Sequence, residues 1–351
     1  MKVLVLGAGA QGRVVAGALE RRGAHVRLAD LAPPPGGVVL DARDAVAVEV
    51  AARGCDVAVT SLPAAIGTVA LPALLAAGVP TVDTSFAVEL PFHLDADARR
   101  AGVPVVVDLG VAPGLSHLLA ASLVRELGEV DTLRILVGGM PLVPPMGFRH
   151  AVYFHVLDLM DEYLRPARVR RDGREVALDP LAETSRWVDT EVGVLEAAPS
   201  DGLRSLLRSF PDVPAMEELT LRAPGHLEVM RQLSELGLLD PEALPGTARS
   251  LERRFPGAAN PDRLLMEVHA ELGEDARSYR VHVQHGDGLT AMSRATAFTA
   301  AAGAVVLAEG RFDVPGVHPP EALGADATEA VLAELASDGI LVERGARIRP
   351  G

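Results

Sequence analysis

At 351 residues, with 49% hydrophobic side chains, the chain is long enough for two domains, each with a sizeable core. Its 33 basic residues against 47 acidic ones leave a net charge of −14, a field that repels phosphate backbones and excludes nucleic acid as a partner. A single cysteine, Cys55, cannot staple a fold, which points to a reducing, cytoplasmic setting.

The opening MKVLVLGAGA has the charge, apolar run and small residues of a short signal peptide. It continues, however, as strand, glycine turn and helix, and a buried first strand explains it better. Strands are predicted at 3–6, 25–29, 38–40, 57–61, 81–84 and 103–108, with helices at 11–22, 44–53 and 66–77 between them. That alternation predicts an α/β fold: a Rossmann domain over 1–115 with a doubly wound parallel sheet and the cofactor across its carboxyl ends. From 116 the grammar changes. A helix at 116–127 leads to a strand at 131–137 and a loop, PLVPPMGFRH, rich in proline. Strands at 167–171 and 174–178 flank Asp172-Gly173, a hairpin signal. Helices near 203–210 and 226–236 precede two long alternating strands, 264–272 and 279–285. This mixture predicts an α+β substrate domain over 116–317 with a mostly antiparallel sheet. The tail, 318–351, carries a short helix at 328–336 and is expected to pack back on the first domain. The most apolar stretch, 289–309, contains Arg294 and is built on Ala, Thr and Ser, so it reads as a buried helix rather than a membrane span.

Gly7-Ala8-Gly9-Ala10-Gln11-Gly12 follows the first strand and opens the first helix. Its glycines permit a tight turn, close approach of backbone N–H groups to a pyrophosphate, and close helix–strand packing. Asp30 ends the second strand, where a carboxylate accepts hydrogen bonds from the ribose hydroxyls and repels a 2′-phosphate. The expected cofactor is therefore NAD, with NADP less favoured. Asp41 ends the third strand and either reaches the adenine or caps the next helix. Ser61-Leu62-Pro63 and Thr84-Ser85 end the fourth and fifth strands, on the edge where the nicotinamide half must lie; short hydroxyl residues there touch cofactor or form turns. Metal binding finds no support. His282 and His285 stand three apart on a strand and face opposite ways, and Cys55 is alone.

The block DLGVAPGLSH, Asp108 to His117, resembles the crossover of the saccharopine dehydrogenase family, and of its lysine 6-dehydrogenase-like branch in particular. Four later blocks agree in order and spacing: VGGMP from Val137, DEYLRPARVRRDG from Asp161, SDGLRSLL with EELTLRAPGH from Ser200 to His226, and DGLTAM with GVHPPE from Asp287 to Glu321. The chain departs from the branch pattern at Ala223 and Ala198, where aromatics are usual, and at His117, where asparagine is. The resemblance implies NAD(P)-linked oxidation of an amino-acid C–N bond, with L-lysine losing its ε-amino group. It also implies a homodimer through the second domain, and puts Gly110 beside the cofactor and His117 beside the substrate.

An amino-acid substrate needs a cation for its carboxylate and a base for the departing proton. Arg149, Arg165 and Arg222 lie in or beside the matched blocks as carboxylate clamps, though Arg165 is also four residues from Asp161, the spacing of a helical ion pair. Glu196 and His226 are candidates to orient or deprotonate the amine, with capping or packing the other reading of His226. Asp108 is a polar group near the nicotinamide. Lys2 is the only lysine, at the wrong end of the first strand, so proton transfer falls to a carboxylate, a histidine, a tyrosine or water. Two other readings stand beside this one: a saccharopine- or carboxyspermidine-type reductase, which needs more clustered arginines, and a non-catalytic dinucleotide-binding redox sensor.

Overall fold

Short aliphatic strands alternating with alanine-rich helices bury both faces of a sheet only when helices cover each side. The computed structural model describes residues 1–351, the side chains of Ala64 and Ala65 apart. Two units emerge, Met1–Leu118 with Ala295–Gly339, and Leu119–Arg294 with Ile340–Gly351.

The first unit carries β1 (Lys2–Leu6), β2 (His25–Asp30), β3 (Val38–Val39), β4 (Val57–Thr60), β5 (Thr81–Asp83) and β6 (Pro104–Val106). A late strand, β15 (Gly316–His318), joins them in the order β15-β6-β5-β4-β1-β2-β3, every pair parallel. Between the strands run α1 (Ala10–Arg21), α2 (Ala45–Ala52), α3 (Leu71–Ala76) and α4 (Asp95–Ala101). Leu4, Leu6, Val48, Leu74 and Val105 pack together on one face. The doubly wound parallel sheet is therefore present, with one strand more than the six expected. The division into units also shares out α5 (Leu115–Leu127) and α10 (Ala291–Ala308). Most of α10 is buried, although it is long and apolar enough to cross a membrane. Residues 295–317, expected in the second domain, lie in the first unit, where a Cβ on Gly303 of α10 would stand 3.6 Å from Val82 of β5 and 2.2 Å from the Leu109 side chain. Later in the chain α11 (Ala325–Ser337) is tied to α1 by Arg22, which ion-pairs with Glu334 at 2.8 Å and with Asp338.

The second unit is built on β7 (Thr132–Pro141), β8 (Ala167–Arg171), β9 (Arg174–Leu178), β10 (Ser185–Asp189), β11 (Gly193–Pro199), β12 (Ala215–Arg222), β13 (Asp262–Leu272) and β14 (Asp275–Gln284). The tail adds β16 (Val342–Arg344) and β17 (Ile348–Pro350). The order is β16-β14-β13-β7-β12-β11-β10-β17, with the β8–β9 hairpin hung from β12. Only β7 and β12 run parallel. Helices α6 (Val156–Leu164), α7 (Leu206–Ser209), α8 (His226–Glu235) and α9 (Leu244–Arg254) complete it.

Residues 340–351 thus belong to the second unit rather than the first, because both of their strands pair there. Only Gly345, Ala346 and Arg347 separate β16 from β17, so one tail bridges the two ends of the strand order. A buried arginine makes the same junction: Arg280 on β14 donates to Asp189 on β10 at 2.8 Å and to Glu267 on β13 at 2.7 Å. Glu267 in turn accepts the backbone N–H of Arg347 at 2.8 Å. The helix expected near 203–210 shrinks to α7, since Arg204 adopts φ 40° and the Arg170 guanidinium takes the Phe210 carbonyl at 2.6 Å.

Candidate functional site

In the first unit the chain leaves β1 at Gly7, whose φ of 101° no β-carbon tolerates cheaply. A Cβ at Gly7 would stand 2.2 Å from the Ser61 carbonyl oxygen, and one at Gly12 would stand 1.8 Å from the Gly7 oxygen. Both glycines are thus demanded by backbone approach. Gly9 differs: a Cβ there would meet nothing within 4 Å. Gly9 is also the N-cap of α1. Ala10 and Gln11 form the first turn. Open space over a helix N-terminus is what a pyrophosphate needs, so these residues fit a dinucleotide.

Asp30 accepts the Ala8 N–H at 2.7 Å and the Ala32 N–H at 3.0 Å. Those backbone donors, Ala32 foremost, hold its carboxyl below the usual carboxylate range. The residue therefore braces the glycine loop as well as ending β2. Asp41 does not cap a helix: Arg43 holds it at 2.8 Å at the surface and pulls it down to about 2, while Asp44 caps α2 through the Ala47 N–H. Ser61 roofs Gly7 with its carbonyl, Leu62 packs partly into the core, and Pro63 is exposed. The hydroxyls of the next strand end turn inward, Thr84 to the Thr60 carbonyl at 3.0 Å and Ser85 to Asp83 at 2.8 Å.

Asp83, which the sequence reading passed over, is the hub of that edge. It also accepts from Thr60, and burial, with Asp108 nearby, pushes it up to about 6. Asp108 itself is buried in the left-handed region, at φ 55°, where aspartate is among the few tolerated residues. The Gly110 N–H donates to the Asp108 carbonyl at 3.0 Å and closes the turn. His117 is fully buried in α5, its Nδ1 3.1 Å from the Ser116 hydroxyl.

The second unit gathers four expected residues into one cluster. Register places Glu196 of β11 opposite Arg222 of β12. Glu196 accepts the N–H groups of Gly225 at 2.8 Å and Leu227 at 3.3 Å, so it caps α8. Arg222, buried, donates Nε to the Tyr163 hydroxyl at 2.7 Å and Nη1 to the Leu221 carbonyl at 2.9 Å, and ion-pairs with Glu162. The Tyr163 hydroxyl lies 2.8 Å from His226 Nε2, and His226 Nδ1 lies 2.9 Å from the Phe148 carbonyl. Burial, with the Arg222 charge, lowers His226 to about 3. His150 stacks 4.8 Å from it and is likewise driven well below its ordinary value by burial.

Arg149 is held in the left-handed region at φ 62° and donates Nε to the Pro224 carbonyl at 3.1 Å. No carboxylate pairs with it among the described residues. Arg165 is engaged by Asp161 at 2.6 Å and Asp201 at 3.8 Å, which is the ion-pair reading. So Arg149 alone of the three arginines keeps a guanidinium without an acid, and His226 has both nitrogens committed. Tyr163, Glu162 and His150 were not singled out from sequence. Tyr163 and Glu162 stand inside the DEYLRPARV block, so the block was the signal and its roles were not readable.

Residues 110–340 match the model of the saccharopine dehydrogenase C-terminal domain. A saccharopine dehydrogenase (NADP(+), L-glutamate-forming) of Schizosaccharomyces pombe is 23% identical over 269 residues, 69% of this chain and 59% of that protein. One of the same name from Pyricularia oryzae is 22% identical over 59% of this chain and 49% of its own length. The chain thus spans about half the length of the curated relatives it matches. The apo L-Glu-forming saccharopine dehydrogenase structure from Saccharomyces cerevisiae superposes with a TM-score of 0.79 at 17% identity, covering 98% of this chain and 99% of that one.

Proposed function

The chain belongs to the saccharopine dehydrogenase family, and on that premise we propose that it is an NAD(P)-dependent oxidoreductase acting on the C–N bond of an amino acid, with NAD preferred and L-lysine deaminated at its ε-amino group. The observation that carries the reading is the glycine cradle, open over Gly9 and braced by Asp30. A bound nicotinamide would supply the acceptor for the hydride that leaves the carbon bearing the amine.

This chain's own residues do the rest. Gly7, Gly9, Ala10, Gln11 and Gly12 hold the pyrophosphate, Asp30 the ribose, and the edge built from Ser61, Thr84, Ser85 and Gly110 the nicotinamide half. Asp108, beside Asp83 at the carboxyl ends of β5 and β6, moves the proton. Arg149, the cation without an acid, takes the substrate carboxylate. The preference for NAD rests on Asp30, although the curated relatives are named for NADP(+). A saccharopine-type reductase would need further cations for its additional carboxylates, and Arg165 and Arg222 are already engaged. A cytoplasmic homodimer belongs to the same reading, the first half supported by the single cysteine.

The test is reduction of NAD+ and NADP+, followed by the absorbance of the reduced nicotinamide, across L-lysine, other amino acids and polyamines. Turnover of L-lysine supports the assignment. Oxidation of 2-hydroxy acids or alcohols with every amine ignored would overturn it.

A further inference from the structure

Donor accounting fixes the direction of every hydrogen in the buried cluster of the second unit. The Arg222 guanidinium can only donate, so the Tyr163 oxygen, 2.7 Å from Nε, accepts. The one phenolic hydrogen then goes to His226 Nε2, 2.8 Å away. Nε2 is therefore the bare nitrogen, the ring proton sits on Nδ1, and Nδ1–H donates to the Phe148 carbonyl at 2.9 Å. The peptide that begins with that carbonyl ends at the nitrogen of Arg149. On the same residue the backbone N–H is taken by the Pro145 carbonyl at 2.9 Å and the side chain by the Pro224 carbonyl at 3.1 Å. A non-glycine residue at φ 62° persists only where its surroundings over-determine it, and here three hydrogen bonds do so.

We propose that Tyr163 and His226 are positioning residues: the one-way chain from Arg222 through Tyr163 and His226 to the Phe148 carbonyl presents the Arg149 guanidinium to the substrate carboxylate. This rests on Arg149 being the carboxylate clamp. It takes the histidine out of proton transfer, because neither ring nitrogen is left to reach a substrate. It also gives the buried Tyr163 and Arg222 a role in the site rather than in packing alone. The ring of Phe148, edge-on to His226 at 5.0 Å, keeps the same loop seated.

Two substrates separate presentation of Arg149 from general damage: L-lysine, and pentane-1,5-diamine, which lacks the carboxylate. Tyr163→Phe leaves His226 Nε2 without its hydrogen and Arg222 Nε without its acceptor. The expected result is a KM for L-lysine raised about tenfold or more, with kcat and the diamine kinetics changed less than a few-fold. His226→Gln, whose amide reaches toward the Nε2 position, is expected to do the same. His226→Asn puts an amide N–H where Nδ1 stands, keeps the donor to Phe148, and is expected to preserve the preference for L-lysine. Arg149→Met tests the underlying reading. If it leaves the lysine-to-diamine ratio unchanged, the clamp assignment fails. If it collapses the ratio while Tyr163→Phe and His226→Gln do not, the clamp stands and the positioning chain is overturned. An equal loss on both substrates in Tyr163→Phe also overturns it. Amide hydrogen exchange over residues 146–150 provides the readout independent of turnover: faster by about tenfold in His226→Gln and near the unmutated rate in His226→Asn. Unmoved exchange in His226→Gln would refute the chain whatever the substrate proves to be.

Discussion

Replacing Asp30 by asparagine separates two roles that the geometry gives one carboxylate. The unmutated group accepts the Ala8 N–H at 2.7 Å with one oxygen and the Ala32 N–H at 3.0 Å with the other. Asparagine has a single carbonyl oxygen, so one of those donors must face an amide NH2. A hydrogen bond to a charged group contributes about 1.5–3 kcal/mol when buried. Asp30 is open to solvent on one side, so a cost near ~1 kcal/mol is expected, weakening both cofactors about fivefold. The second role is discrimination. Unit charges 4 Å apart repel by about 1 kcal/mol in bulk water and about 4 kcal/mol at an effective dielectric of 20. An exposed carboxylate lies toward the first figure, so NAD should bind more tightly than NADP by a factor of roughly 5–30. Fluorescence titration with NADH and NADPH at fixed ionic strength measures both effects. Asp30→Asn should bring the ratio toward unity while NADH itself binds more weakly. Because backbone donors hold Asp30 below the usual carboxylate range, the preference should not titrate between about pH 5 and 8. Equal affinities in the unmutated protein, or a ratio untouched in a folded Asp30→Asn variant, would refute the assignment.

Lys2 begins β1, at the far end of that strand from Gly7, so Lys2→Arg should keep turnover within a few-fold, and borohydride with substrate should trap no adduct on a side chain. A hundred-fold loss, about 2.7 kcal/mol of barrier, contradicts that. Arg280→Met should cost about 3–5 kcal/mol in urea unfolding, because it leaves Asp189 and Glu267 buried without their cation; a loss under about 1 kcal/mol would show the pair to be dispensable. For Asp83, burial raises the native value to about 6 from an unfolded 3.8. Its contribution is then fullest below the unfolded value and is lost as pH rises through about 6, a swing of about 3 kcal/mol. Asp83→Asn should flatten the pH dependence of unfolding across that window, and an unchanged slope counts against the assignment.

The parallel sheet was legible because its first strands announce themselves locally, as an aliphatic run followed by glycine or a short hydroxyl residue, whereas the three-residue β15 is too short to register. The glycine loop was legible for the same reason, since backbone contact at Gly7 and Gly12 forbids any side chain. The second unit was harder. Strand β11 was missed because Gly193 and Pro199 bound a run of half-buried and buried positions with a weak alternation signal, and β10 because it is only five residues long. The tail strands β16 and β17 span three residues each, too short for any period to register. Arg222, Glu196 and His226 were picked out by type, but their assignments depend on partners 29 to 60 residues away: Glu196 with Gly225, Arg222 with Glu162. Tyr163 was silent, because nothing in a single tyrosine says that its hydroxyl will stand between an arginine and a histidine.

The ends of the two strand orders bear on solubility. An uncovered strand edge is a template on which another chain can add itself, and long flat edges are where sheets polymerise. Here the first sheet stops at β3, two residues long, and at β15, three; the second stops at β16 and β17, three each. The one longer outlying strand, β9, exposes Arg174 and Glu175, charges that an incoming strand would have to desolvate. That protection is partial at one margin, since β16 pairs with only Tyr279–Val281 of the ten-residue β14.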